Sequence, residues 1–196
     1  SYLTPMPTIN LPIFPLPIFI LPQGITRLRI FEARYLKMVS LAMKNQGFVI
    51  LSNDKDDKSN ASHVGSWVEI INFEQSYDGI LLIDVHCKCL VDIQSISQDS
   101  MKLHHGDVAP IAHWSEVNLD ETTSDLSTSL SKLFSENNEL NDLYQKQCFS
   151  SGDWVVARWI ELIPLKLSEK KIFVAQDSYS QAKQLLQRII LADELI

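Results

Sequence analysis

The sequence predicts an α+β fold: a mainly β lobe over residues 1–115 followed by a mainly helical lobe over residues 116–196, the two together making one domain. Three observations predict it. The first half carries segments rich in β-branched and aromatic residues, several of them alternating polar and apolar. Asp78-Gly79 stands between two long apolar segments, a strong short-range signal for a hairpin. After Trp114 the apolar spacing changes from two to the i, i+3, i+4 pattern of helices.

In chain order, residues 9–14 and 17–21 read as two extended segments. Pro12, Pro15 and Pro17 lack backbone donors, which confines such segments to sheet edges or bulges. Pro22-Gln23-Gly24 marks a turn, and the alternation over residues 26–31 predicts a half-buried strand. A helix is expected over residues 32–45, with Leu36, Val39 and Met43 on its apolar stripe and Gly47 in the left-handed conformation that follows a helix. Residues 48–51 form a short strand, and residues 53–62 are almost wholly polar and read as a loop. Residues 67–73 and 80–91 are expected to pair antiparallel, turning at Asp78-Gly79. Residues 101–114 supply one further strand or two.

The second half is helical by spacing. Leu126, Leu130, Leu133 and Phe134 share one face, and Leu140, Leu143 and Tyr144 repeat the pattern. Residues 154–163 bring Val155, Trp159 and Leu162 together, behind a cap expected at Ser150-x-x-Asp153 and ahead of Pro164. Ser178-x-x-Gln181 has the form of a capping box for a last helix through Leu185, Leu186, Ile189 and Ile190.

Charge narrows the partners. Lys plus Arg is 17 and Asp plus Glu is 24, a net charge of −7. Residues 1–115 carry nine basic and eleven acidic side chains, and residues 116–196 carry eight and thirteen. Neither half offers the basic surface that a nucleic-acid backbone or an anionic membrane requires, so no nucleic acid and no membrane is expected as a partner. The apolar run 11–21 contains three prolines and falls well short of the ~20 residues of a membrane helix. Cys87, Cys89 and Cys148 make an odd count without framework spacing, which predicts reduced thiols and a cytoplasmic location. Cys87 and Cys89, two apart in a strand, are expected on one face.

The glycines exclude much chemistry. Gly24, Gly47, Gly65, Gly79, Gly106 and Gly152 are too far apart for a P-loop, a dinucleotide fingerprint or a nucleophile elbow, all of which need glycine for steric reasons. His86 with Cys87 and Cys89 lacks the paired spacing of a zinc site, and His104, His105 and His113 read as ordinary solvated or core histidines. Asp54, Asp56 and Asp57 lack the glycine and closing glutamate of a calcium loop. Cys148, on the apolar edge of a helix, reads as structural rather than nucleophilic. No metal, no cofactor and no catalytic residue is expected.

Three stretches taken together are more specific. They are Leu11-Pro-Ile-Phe-Pro-Leu16, Leu28-Arg-Ile-Phe-Glu-Ala-Arg-Tyr-Leu-Lys-Met38, and His63-Val-Gly-Ser66 leading to Asp78-Gly79. In this order and spacing they resemble the N-terminal substrate-binding domain of the ATP-dependent Lon protease, and above all the small bacterial proteins made of that domain alone. Trp154-Val155, Glu161-Leu-Ile-Pro-Leu165 and Lys171-Ile-Phe-Val-Ala-Gln-Asp177 resemble its helical portion. The resemblance implies a PUA-like β pseudo-barrel followed by a helical bundle, and a role in recruiting protein substrates. Phe31, Glu32, Arg34, Tyr35, Gly65, Asp78 and Gly79 are the motif residues it points to. Ala33 stands where the family usually has Pro, and Cys87 stands near a usual Gly. No Arg occurs between Arg34 and Arg158, although the family usually carries one on the returning strand.

Three functions compete. The leading one is non-catalytic binding of polypeptide clients or a protein partner, by an apolar groove between the lobes or by strand addition at an exposed edge. RNA binding by a PUA-like barrel is the alternative that the acidic balance opposes. A hydrolase with an unfamiliar site would need titratable groups converging in a cleft.

Overall fold

Residues 7–44, 46–53 and 63–192 are described in a computed structural model. Six strands come first: β1 (Ile9–Leu16), β2 (Ile25–Ile30), β3 (Phe48–Ser52), β4 (Val64–Gln75), β5 (Leu81–Gln98) and β6 (His104–Ile111), with helix α1 (Ala33–Ala42) between β2 and β3. The sheet order is β2-β5-β4-β3-β1-β6, and β6 also pairs with β5. That last pairing closes β5, β4, β3, β1 and β6 into a ring, a pseudo-barrel, and leaves β2 outside it. The β1–β3 pairing is parallel and the others are antiparallel.

The expected hairpin is present. β4 and β5 pair from Val64↔Asp92 out to Gln75↔Leu81, and the chain reverses through Asp78 and Gly79. Gly79 has φ +81°, a conformation that favours glycine. Residues 101–114 contribute one strand, β6. The polar stretch 54–62 lies outside the described residues.

The N-terminal prolines depart from expectation in an informative way. β1 is flanked by β6 and β3, so it is not an outer strand. Its two pairings are staggered, however. Residues Ile9–Ile13 face β6 and Ile13–Leu16 face β3, overlapping only at Ile13. Pro12 and Pro15 therefore each have a neighbour on one side only, and each half of β1 behaves locally as an edge. The second extended segment, 17–21, joins no strand. Side-chain hydroxyls anchor it instead: Ser52 Oγ donates to the Ile18 carbonyl at 2.5 Å and Ser66 Oγ to the Ile20 carbonyl at 2.7 Å. Pro15 and Pro17 remove alternate donors, so a regular ladder could not have continued there.

The barrel interior is formed by Leu11, Ile13, Val49, Trp67, Val91, Ile93 and Val108, contributed by all five ring strands. Gly65 and Gly106 line this interior, and a Cβ added at either would collide with Val49 or Ile13. On the outer face, α1 lays Tyr35, Met38, Val39 and Ala42 against Phe14, Phe48 and Ile50. The stripe is thus rotated from the one expected: Val39 is on it, Leu36 is half-buried, and Met43 is exposed because the helix ends at Ala42. A register shift between Trp67 and Val68 also separates the two strand cysteines. Cys87 packs in the cluster beneath α1, whereas Cys89 packs against the barrel interior.

The helices follow: α2 (Glu121–Glu136), α3 (Asn138–Leu143), α4 (Gly152–Leu162), α5 (Leu167–Lys170), a 3₁₀ turn Lys171–Val174, and α6 (Tyr179–Leu186), continued by a π turn Gln187–Leu191. They enclose a core of Leu126, Leu130, Phe134, Trp154, Val155, Ile160 and Leu186. Two expected caps differ. The N-cap of α4 is Ser151, without a side-chain cap bond. Ser178 caps α6 by position only, since its hydroxyl donates to the Ala175 carbonyl and accepts from Trp114 Nε1. The capping box lies at α2 instead, between Asp120 and Thr123. Ile163 is extended at the end of α4, as the residue before Pro164 should be. Among the described residues no helix is long and apolar enough to cross a membrane.

Candidate functional site

The lobes meet on a polar knot. Arg158, on α4, is completely buried, and its Nε donates to Glu161 Oε1 at 2.7 Å. Its Nη2 donates to Glu161 Oε2 at 3.1 Å and to the Pro22 carbonyl at 2.9 Å. Glu161 Oε2 in turn accepts the Leu21 N–H at 2.8 Å. Burial is the largest single influence and opposes the Arg158 charge, but the Glu161 carboxylate and the neighbouring Tyr144 and Cys87 together hold the guanidinium above its ordinary range. Among the described residues Nη1 of Arg158 has no partner. Gly24 is required by this approach, since a Cβ there would collide with the Glu161 carboxylate.

Tyr144 closes the same junction. Its hydroxyl accepts from the Ile25 N–H at 2.9 Å and donates to the Ile25 carbonyl at 3.3 Å. Burial, then the Glu161 charge, push its phenol above the ordinary range. Lys170 Nζ donates to the Glu161 carbonyl at 2.7 Å, and burial lowers its pKa. Beside the knot lies a crevice of about 480 Å³ between the irregular segment 17–21 and helices α4 and α5. Ile18, Phe19, Ile25 and Leu165 give it apolar walls, and Glu161, Lys166 and Lys170 give it polar ones.

A second crevice, of about 310 Å³, brings together Phe31, Glu32, Arg34 and Tyr35 with Phe14, Leu16 and Arg29. Tyr35 is buried and stacks on Phe14 with ring centroids 4.0 Å apart. Arg34 pairs with Glu32 at 3.0 Å, lies over the Tyr35 ring at 4.8 Å and donates to the Lys102 carbonyl at 3.2 Å. Phe31 is 66% exposed, a large apolar side chain left in solvent. Ala33 opens α1 directly behind the Glu32 N-cap. The other motif residues lie elsewhere. Gly65 is inside the barrel, and Asp78 and Gly79 sit at the hairpin tip, where the Asp78 carboxylate accepts from Ser76 Oγ and the Ile80 N–H.

A third crevice, of about 390 Å³, separates the β2–β5–β4 extension from residues 142–148. Two of its polar groups are engaged: Asp84 accepts two bonds from Arg27, at 2.8 and 3.2 Å, and the two ring nitrogens of His86 face Glu69 and Gln23 at 3.2 Å. Cys148 lines this crevice half-buried, but His86 is not directed to it. The described residues contain no cluster of three or more His, Cys, Asp or Glu able to hold a metal. Arg158, Glu161 and Tyr144 were not singled out as site residues by sequence. A lone Arg inside an apolar helical run, three residues before a Glu, is the signal that marks the pair.

Comparison with known proteins gives one consistent picture. The family model described as the ATP-dependent protease La (Lon) substrate-binding domain matches residues 10–193. The crystal structure of a Lon N-terminal domain protein from Xanthomonas campestris superposes with a TM-score of 0.70 at 24% identity, over 91% of this chain and 97% of that one. The N-terminal domain of Mycobacterium avium complex Lon protease superposes with a TM-score of 0.57 at 11% identity, over 92% and 97%. No curated protein matches this chain. The family match spans nearly all of the described fold, and on that ground the chain belongs to the Lon substrate-binding domain family.

Proposed function

We propose that this protein binds polypeptides without catalysing their cleavage, and that it does so in the cytoplasm. Its β and helical lobes, divided near residue 115, act as one binding unit. The observation that carries this reading is the crevice between segment 17–21 and α4–α5, whose apolar walls are backed by the Arg158–Glu161 knot. A recognition role also fits the family to which the chain belongs. The groove is part apolar and part polar, suited to an unfolded chain that offers both apolar side chains and unpaired backbone. Trp154 and Trp159 are buried and contribute by packing rather than by contact with a client. Titration with reduced, carboxymethylated α-lactalbumin at two salt concentrations tests the proposal. Binding at tens of micromolar or tighter that weakens little with salt is expected. Absence of binding overturns it, and binding confined to structured RNA would replace it with the nucleic-acid alternative.

A further inference from the structure

Among the described residues, strand β2 is the one strand outside the ring, and its sole strand partner is β5. The direction of its free backbone groups follows from one contact. Ile25 gives both its N–H and its carbonyl to the Tyr144 hydroxyl, so these groups point away from β5. In an antiparallel ladder the N–H and C=O of one residue point the same way and alternate along the strand. The register from Ile25↔His86 to Ile30↔Leu81 runs without a shift. Thr26, Leu28 and Ile30 therefore bond to β5, while Arg27 and Arg29 direct their N–H and C=O outward.

The surroundings give this edge two distinct ends. At its start Tyr144 already fills the position of a neighbouring strand. Ile25 and Thr26 there line the crevice at the lobe junction. At its far end Arg29 and Ile30 line the crevice of Phe31, Arg34 and Tyr35. In a protein of net charge −7, that end places Arg29 and Arg34 together against Glu32, with Asp78 at the neighbouring hairpin tip. The outer half of β4 is also unpaired on one side, but a register shift between Ile70 and Asn72 breaks it, and Glu69 and Glu74 flank it. Bulges and charges of this kind discourage strand addition. β2 has no such bulge.

We propose that β2 is the docking edge for an extended polypeptide segment that carries a carboxylate beside an apolar residue. The segment pairs with the outward groups of Arg27 and Arg29. Its carboxylate meets Arg29 and Arg34, and the neighbouring apolar side chain enters the crevice at Phe31 and Tyr35. This inference rests on the polypeptide-binding reading and adds a place and a mode to it.

The experiment uses the full chain with reduced, carboxymethylated α-lactalbumin as an unfolded, acidic probe. Hydrogen exchange resolved by residue should show the Arg27 and Arg29 amides becoming protected on binding. Arg29→Pro removes an outward donor at a position where an edge strand tolerates proline, and it should weaken binding about tenfold with the circular dichroism unchanged. Arg29→Gln keeps the donor, loses the charge and should weaken binding by less. Binding by the wild type without protection of these two amides overturns the edge while leaving polypeptide binding intact. Should Arg29→Pro fail to fold, the amide protection in the wild type still decides. No binding by the wild type overturns both readings.

Discussion

Two Arg–Glu pairs of this molecule have the same chemistry and opposite situations. Arg158 and Glu161 lie on α4 with side chains 1% and 11% exposed. Arg34 and Glu32 lie at the start of α1 with side chains 32% and 45% exposed. The buried pair joins the helices to the Leu21–Pro22 backbone of the β lobe, and each of its members depends on the other for charge compensation. The exposed pair competes with water, and its Arg also rests on Tyr35 and the Lys102 carbonyl. The contrast teaches that residue identity sets which bond can form, while surroundings set what its loss costs.

Breaking the buried pair is the harshest way to probe this difference. Arg158→Ala leaves the largely buried Glu161 carboxylate without its guanidinium partner and should destabilise the fold by about 3–5 kcal/mol, measured by urea unfolding. A loss below about 1 kcal/mol would show that water from the crevice compensates the carboxylate and that the pair does not hold the lobes together. Tyr144→Phe is milder. It leaves the ring in place but deprives the Ile25 N–H and C=O of their partner, and about 1–2 kcal/mol should be lost. If the β2 edge extends through Ile25 once the hydroxyl is gone, the same variant should bind an unfolded client no worse than the wild type.

An exposed polar contact can still matter where it ends a helix. Asp120 caps α2 and pairs with Lys183 at 2.6 Å. The Lys183 hydrogen bond, then the Thr123 N–H, hold its pKa at about 2 against an ordinary 3.8. A depressed carboxylate pKa stabilises the fold above the unfolded value and ceases to do so as pH falls through the folded one. Asp120→Ala should therefore cost about 1 kcal/mol at neutral pH. Its deficit against the wild type should shrink as pH falls from 3.8 toward 2. A deficit that persists at the acid end would assign the loss to packing instead. The smallest effect is expected at the conspicuous motif: Arg34→Ala should change stability by no more than about 0.5 kcal/mol. A larger loss would place Arg34 with Arg158 and erase the contrast.

How much of this was legible depends on the range of the determining interactions. The β4–β5 hairpin was readable because Asp78-Gly79 sets a turn within four residues. The stripe of α1 was misread by about one position because the helix ends at Ala42, where tertiary packing and the Gly47 connection take over. Ser178 does stand at the N-cap of α6, but the capping bond is absent because its hydroxyl serves the Ala175 carbonyl and the distant Trp114, which no local pattern reveals. In the candidate site, sequence marked Phe31, Glu32, Arg34 and Tyr35, and these do share one crevice. It grouped Gly65, Asp78 and Gly79 with them, and these stand apart in the barrel and at the hairpin tip.

The sequence by itself determined the order of β and helical segments, the hairpin, the absence of glycine-built catalytic loops and the membership suggested by the motif blocks. Each of these depends on residue type and short spacing. Only the tertiary structure decided that β6 closes the ring onto β5, that β2 has a free edge among the described residues, and that Arg158 rather than Arg34 is the buried guanidinium. Those outcomes join residues far apart in the chain, Leu21 with Glu161 and Ile25 with Tyr144. They follow from which surfaces exclude water once the strands have closed, and no local pattern encodes that.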